Sequence, residues 1–370
     1  MAYETGSGRA LPLIFLILTG LFGIISAPAQ TLNTSQKQQN PIKGERSGQD
    51  EEVIRIDTDL TNLLFTAVDK NNHFITTLRQ EDIRVLEDGL PQQVFTFQRE
   101  TDRPLSIAIL IDVSASEEAT LPEEKGAARS FVETIIRSKK DEAAVISFTD
   151  EAFLEQGLTS NVIGIYRAIE RVDIGLPGYM GEGVVIRGGT LPSSGRSHSL
   201  EGTTAIWDAI SVTAGEVLST TPDKRRRAII LLTDGMDTSS RMKESEAIDR
   251  AVKADTVIYA IGIGDSKHFE GINRTTLRKV AERTGGRAFF PKKEADLSAA
   301  FEQIEQELRS QYLVAYSSTN KKRDGSFRQM HIEIVNPELR KQQLRLTYRP
   351  GYFARALATN KGTSEATPRP

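Results

Sequence analysis

Asp112, Ser114 and Ser116 stand at alternate positions in Asp112-Val113-Ser114-Ala115-Ser116, directly after the apolar run Ile107-Ala108-Ile109-Leu110-Ile111. A strand that ends there carries three oxygen side chains into the turn that follows it. A second apolar run, Ala228-Ile229-Ile230-Leu231-Leu232, ends in Thr233-Asp234-Gly235, which adds another carboxylate and a glycine for the turn. Between the two, Gly202-Thr203-Thr204 opens a helical stretch and supplies hydroxyls. Carboxylates and hydroxyls are hard donors with no thiolate or imidazole among them. They suit Mg²⁺, Mn²⁺ or Ca²⁺ and not Zn²⁺ or Cu²⁺. Two carboxylates nearly neutralise a divalent ion. A few protein oxygens leave coordination positions for water or for a carboxylate from another protein. The plainer alternative is that these side chains only cap turns and helices.

Other candidates carry less. His73, His198, His268 and His331 are scattered. Asp237 and Asp265 follow strands at the same expected edge, where turn formation accounts for both. Trp207, on the helix after Thr204, reads as core. Lys224-Arg225-Arg226-Arg227 reads as a solvated loop. There is no nucleophile elbow, phosphate loop, dinucleotide fingerprint or His-Glu-x-x-His. The absence of cysteine excludes disulfides, thiolate catalysis and thiolate metal sites. With 47 basic and 50 acidic residues, the charge balance calls for neither nucleic acid nor an anionic membrane.

The elements that must position the oxygens form an α/β pattern. The continuous apolar runs mark strands covered on both faces. Further strands are expected at 143–148, 153–158 and 257–261. Helices are expected at 121–137, 162–172, 205–218, 244–253, 274–283 and 295–311. Strands alternating with helices of this length imply a doubly wound, mostly parallel sheet, in which ligands bind outside the carboxyl ends of the strands. This domain is expected over 102–311. The segments at 53–101 and 312–354 read as β. Neither alone has enough strands to bury a good core, so the economical arrangement is one β-sandwich-like module with the α/β domain inserted; two small separate β units are the alternative. The Gly- and Ser-rich stretch 174–201 is long for a loop in a compact domain, and reads as disordered or functional.

Arg9, an apolar run to Ile25 and Ala27-Pro28-Ala29 have the order of a secretory signal over 1–29. Cleavage after Ala29 leaves a mature chain with no integral membrane span, in the periplasm or outside the cell; an uncleaved anchor is the alternative. A polar linker at 30–52 and a disordered tail at 355–370 complete the organisation.

Asp112-x-Ser114-x-Ser116, a threonine opening a helix, and Thr233-Asp234-Gly235 together resemble the metal-ion-dependent adhesion site of von Willebrand factor type A domains. The order Thr204-Ala205-Ile206-Trp207-Asp208-Ala209-Ile210 is similar to that family's Gly-Thr-Ala-Leu-Tyr-Asp-Ala-Leu helix, which assigns the threonine role to Thr204. The resemblance implies that Asp112, Ser114, Ser116, Thr204 and Asp234 hold a divalent cation, Mg²⁺ or else Mn²⁺ or Ca²⁺, directly or through water. It also implies a non-enzymatic protein that engages a partner's carboxylate. Leu86-Glu87-Asp88-Gly89, Arg309-Ser310-Gln311-Tyr312 and Tyr348-Arg349-Pro350-Gly351-Tyr352-Phe353 resemble an exported bacterial subfamily prominent in Acidobacteria. A structural module of the envelope and a metal-dependent hydrolase are the competing readings.

Overall fold

The computed structural model describes residues 60–174, 184–186, 203–264 and 271–356. The expected signal and linker, nearly all of the expected tail, and His198, Asp265 and His268 lie outside the described residues. Four strands come first: β1 (Leu60–Val68), β2 (Ile83–Glu87), β3 (Leu90–Pro91) and β4 (Val94–Glu100). The α/β body follows as β5 (Leu105–Asp112), α1 (Leu121–Ile135), β6 (Glu142–Phe148), β7 (Ala152–Thr159), α2 (Val162–Arg171), β8 (Val184–Ile186), α3 (Ile206–Val212), β9 (Arg226–Thr233), α4 (Glu244–Lys253), β10 (Thr256–Gly262), α5 (Arg274–Thr284), β11 (Ala288–Phe289) and α6 (Glu294–Arg309). The chain then returns to β12 (Gln311–Ser317), β13 (Phe327–Ile334), α7 (Pro337–Lys341), β14 (Arg345–Tyr348) and β15 (Gly351–Phe353).

The body is a seven-stranded sheet in the order β11-β10-β9-β5-β6-β7-β8. Its pairs from β11 to β6 are parallel. The pairs β6–β7 and β7–β8 are antiparallel, and the short turn between β6 and β7 leaves no room for the crossover that a parallel pair needs. Every residue of β5 and β9 is buried. On β5, Leu105, Ile107, Ile109 and Ile111 face α1, α2 and α6, while Ala108 and Leu110 face α3, α4 and α5. That double cover is why these strands read as unbroken apolar runs. From β5 the chain goes to β6 on one side and later to β9 on the other, so the crevice of this fold opens at the carboxyl ends of β5 and β9.

The flanking strands make two antiparallel sheets, β14-β1-β12-β4 and β15-β13-β2-β3, each drawing on both flanks. They share one core of Leu63, Phe65, Val85, Tyr312, Val314, Tyr316, Met330 and Ile332, in which Phe65 stacks on Tyr312 at 5.1 Å. Asp88 and Gly89, both with positive φ, make the tight turn between β2 and β3. The sandwich rests on the body where Gly285 adopts φ +87°; a Cβ there would lie 2.5 Å from the backbone nitrogen of Arg349. Arg349 in turn donates to Asp255 and to the Asn62 carbonyl.

One expectation is corrected. Arg226 and Arg227 do not lie in a solvated loop. They begin β9 and are buried, because their guanidiniums donate to the carbonyls of Leu308, Ala254 and Thr221. The helix expected to run on to 218 loosens into a π turn at Thr213–Val217 and a 3₁₀ turn at Leu218–Thr220. Within 174–201, Val184–Ile186 pairs with β7, and the rest of that stretch beyond residue 174 lies outside the described residues. Among the described residues no helix is long and apolar enough to cross a membrane.

Candidate metal centre

Asp112 and Thr233 end neighbouring parallel strands, and the Thr233 hydroxyl donates to Asp112 Oδ2 at 2.6 Å. The Ser114 amide donates to Asp112 Oδ1 at 3.0 Å. Both oxygens of this fully buried carboxylate are therefore fixed by neutral donors. After Asp112 the chain makes a 3₁₀ turn at Ala115–Glu117, which sets Ser114 Oγ 3.0 Å from Ser116 Oγ. Ser116 is exposed and hydrogen-bonds to Asp234.

Past β9, Gly235 has φ +82° and a Cβ on it would meet Leu277 Cγ at 2.8 Å, so no other residue fits this turn. The turn leaves Asp234 half-buried, with its Oδ1 accepting from the Met236 amide at 2.8 Å and its carbonyl accepting from the Asn273 amide at 2.8 Å. Met236 is an exposed apolar residue on the rim.

Thr204 is buried and pinned to the same sheet edge by its backbone. Its amide donates to Thr238 Oγ1 at 2.8 Å, and its carbonyl accepts from the amides of Thr238 and Ser239. The next amide, of Ala205, donates to the Thr149 carbonyl at the end of β6. Asp237 accepts from the Ile206 amide at 2.8 Å, so it holds the start of α3 against the loop after β9. Trp207 lies in the core under the sheet. His73 and His331 belong to the sandwich: His73 follows β1 and lies beside Asp69, and His331 is on β13 beside Tyr348.

The structure therefore brings Asp112, Ser114, Ser116 and Asp234 together, and it anchors Thr204 at the same edge. It also adds Glu117, which sequence reasoning passed over. One carboxylate oxygen each from Asp112, Glu117 and Asp234 lie within 4.8 Å of one another. Behind Glu117, the Thr120 hydroxyl lies within hydrogen-bond distance of both Glu117 Oε2, at 3.1 Å, and Glu124 Oε1, at 2.8 Å. Nothing in the pair Glu117-Glu118 distinguishes the buried glutamate from its exposed neighbour until the 3₁₀ turn is known.

These carboxylates lack counter-charge. Burial pushes the Asp112 carboxyl up to about 6, against the pull of the Thr233 and Ser114 hydrogen bonds and with help from the charge of Asp234. Burial likewise raises Asp234. Glu117 and Glu124 are raised by burial and by the surrounding acidic groups. No lysine or arginine among the described residues pairs with any of the four. A buried carboxylate without a partner is costly. A hard divalent cation fits this donor set and would relieve that cost.

A doubly wound sheet with aspartate and serine oxygens gathered at its switch point defines a class of α/β domain. Two sequence profiles, both described as von Willebrand factor type A domain, match residues 107–237 and 194–304. The chain is a von Willebrand factor type A domain protein. Among solved structures it is similar to proximal thread matrix protein 1 from the mussel byssus, with 21% identity, 60% of this chain and 51% of that one covered, and a TM-score of 0.45. This chain thus spans about half the length of the mussel protein. It is also similar to BatB from Bacteroides thetaiotaomicron, at 19% identity, covering 56% of this chain and 100% of that one, with a TM-score of 0.42. A von Willebrand factor type A protein from Catenulispora acidiphila is 14% identical over 77% of this chain and 76% of its own, with a TM-score of 0.41. No curated protein matches the chain.

Proposed function

We propose that this is an exported, non-enzymatic binding protein that holds a divalent cation at the Asp112–Asp234 edge and uses it to engage a carboxylate of a partner protein. The observation that carries this reading is the gathering of buried or half-buried acidic oxygens and two serine hydroxyls at the sheet's switch point with no basic side chain among them. Asp112, Ser114, Ser116, Thr204 and Asp234 would hold the ion, a hard divalent cation of the set Mg²⁺, Mn²⁺ and Ca²⁺. The ion would supply a Lewis-acidic contact for an incoming carboxylate. The protein's own part is orientation: the Thr233 hydroxyl and the Ser114 amide fix Asp112, and the Gly235 turn fixes Asp234. Exposed Ser116 and exposed Met236 border the site, a polar and an apolar contact for the partner's surface. The apolar run and Ala27-Pro28-Ala29 at the start of the chain favour export.

The test is calorimetric titration of Mg²⁺, Mn²⁺ and Ca²⁺ into the chain beginning at Gln30, beside Asp112→Ala and Asp234→Ala. Saturable binding of one ion is expected, lost in both variants. A metal-dependent pull-down of envelope proteins, abolished by the same substitutions, would follow. Unchanged ion binding in both variants would end this reading.

A further inference from the structure

Glu117 differs from the other acidic side chains on the turn. Its neighbour Glu118 is exposed, whereas Glu117 is fully buried with its carboxylate turned inward by the 3₁₀ turn Ala115–Glu117. Oε2 accepts the Thr120 hydroxyl, but Oε1 is buried with no hydrogen-bond partner. An oxygen of this carboxylate reaches within 4.8 Å of oxygens from both Asp112 and Asp234. A buried carboxylate oxygen with no donor is a standing energetic cost, and a cation between the three groups removes it.

We propose that Glu117 is a third carboxylate ligand of the cation held at this edge, and that with it the site takes Ca²⁺ in preference to Mg²⁺. The inference rests on the reading of the Asp112–Asp234 edge as a cation site. Its argument is coordination number and charge. Mg²⁺ demands a small octahedral shell, keeps several waters and is usually bound by one or two carboxylates. Ca²⁺ accepts six to eight oxygens in looser geometry, and its affinity rises with the number of anionic ligands. Three carboxylates with Ser114, Ser116 and Thr204 give six oxygen-bearing side chains, and a carboxylate can supply two oxygens. Glu124 lies outside the three-carboxylate group and bonds the same Thr120 hydroxyl as Glu117, so it positions Glu117 from behind.

Competitive calorimetry with Ca²⁺ and Mg²⁺ on the chain from Gln30, on Glu117→Gln and on Asp112→Ala separates the possibilities. The expected result is Ca²⁺ bound at least tenfold more tightly than Mg²⁺ by the parent chain. Glu117→Gln should lose at least tenfold in Ca²⁺ affinity, and the preference with it, while still binding one ion; Asp112→Ala should bind none. Glu117→Gln with parental affinities overturns this inference and leaves the site reading standing. Ion binding that survives Asp112→Ala, or no binding by the parent chain, overturns the site reading and this inference together. A second measurement needs no variant. In the parent chain carrying ¹³C-carboxyl glutamate, Ca²⁺ should produce a new labelled carboxylate band in the infrared difference spectrum. Its absence at saturation overturns the role given to Glu117.

Discussion

Asp112 is fully buried and is held by neutral donors, the Thr233 hydroxyl and the amide and hydroxyl of Ser114. Burial pushes its carboxyl from an ordinary 3.8 up to about 6, so the folded chain keeps this proton to higher pH than the unfolded chain does. Between roughly pH 4 and 6 its contribution therefore falls as pH rises, and above that the full penalty of about 3 kcal/mol remains. In the absence of divalent ions Asp112→Asn should raise Tm at pH 7 and change it little at pH 4, read by scanning calorimetry. Saturating cation should stabilise the parent chain but not the variant. A Tm lowered at pH 7 would show that the charge is already compensated. The same residue was legible in the sequence because a carboxylate and two hydroxyls at alternate positions after an apolar run have few reasons to be there. Glu117 was not, since its inward turn depends on backbone angles that the pair Glu117-Glu118 does not encode.

Asp141 shows how one side chain ties elements together. It sits between α1 and β6, is buried, and accepts from Arg137 Nε at 2.7 Å, from Arg309 at 2.7 Å and from the Leu105 amide at 2.8 Å. It thus joins the end of α1, the end of α6 and the start of β5. Burial alone would raise its carboxyl, but the two guanidiniums and the amide hold it well below the usual carboxylate range. Its stabilisation is present above that range and is lost as pH falls through it. Asp141→Asn should cost about 3 kcal/mol at pH 7, and the difference should shrink below roughly pH 4, where the carboxylate of the unfolded parent chain takes up a proton that the folded one does not. Urea unfolding at pH 7 and pH 3 measures both; an unchanged difference at pH 3 would refute the assignment. Among elements, the long helices were readable because each carries an apolar face at helical spacing. The two- and three-residue strands β3, β8, β11 and β15 were not, since such lengths carry no period. Arg226 and Arg227 differ for another reason: a run of charge implies solvent by composition alone, and these guanidiniums are instead paired with backbone carbonyls.

The sandwich cannot be assembled from either flank alone. Among the described residues β1 has only β12 and β14 as neighbours, β4 has only β12, and β2 lies between β13 and the two-residue β3. Ending the chain after Arg309 should leave 60–100 rapidly cut by protease while the body resists and still binds its ion. Protection of 60–100 in that truncated chain would show that the first flank folds unaided. The shortage of strands on each side was visible in the sequence. Which strand pairs with which was not, because cross-strand partners such as Phe65 and Tyr312 lie too far apart in the chain for local pattern to connect them.

Glu100 and Gln311 are direct cross-strand partners on β4 and β12. To the sandwich, then, the entire α/β body is the turn of a single hairpin. Drawing together the ends of roughly 210 unstructured residues would cost on the order of 5 kcal/mol. A body that has already folded through its own nearer contacts delivers β4 and β12 side by side, and that entropy has been spent before the sandwich begins to form. Folding should therefore run from the inside outward, with the inserted body acting as the nucleus that allows its own host to close.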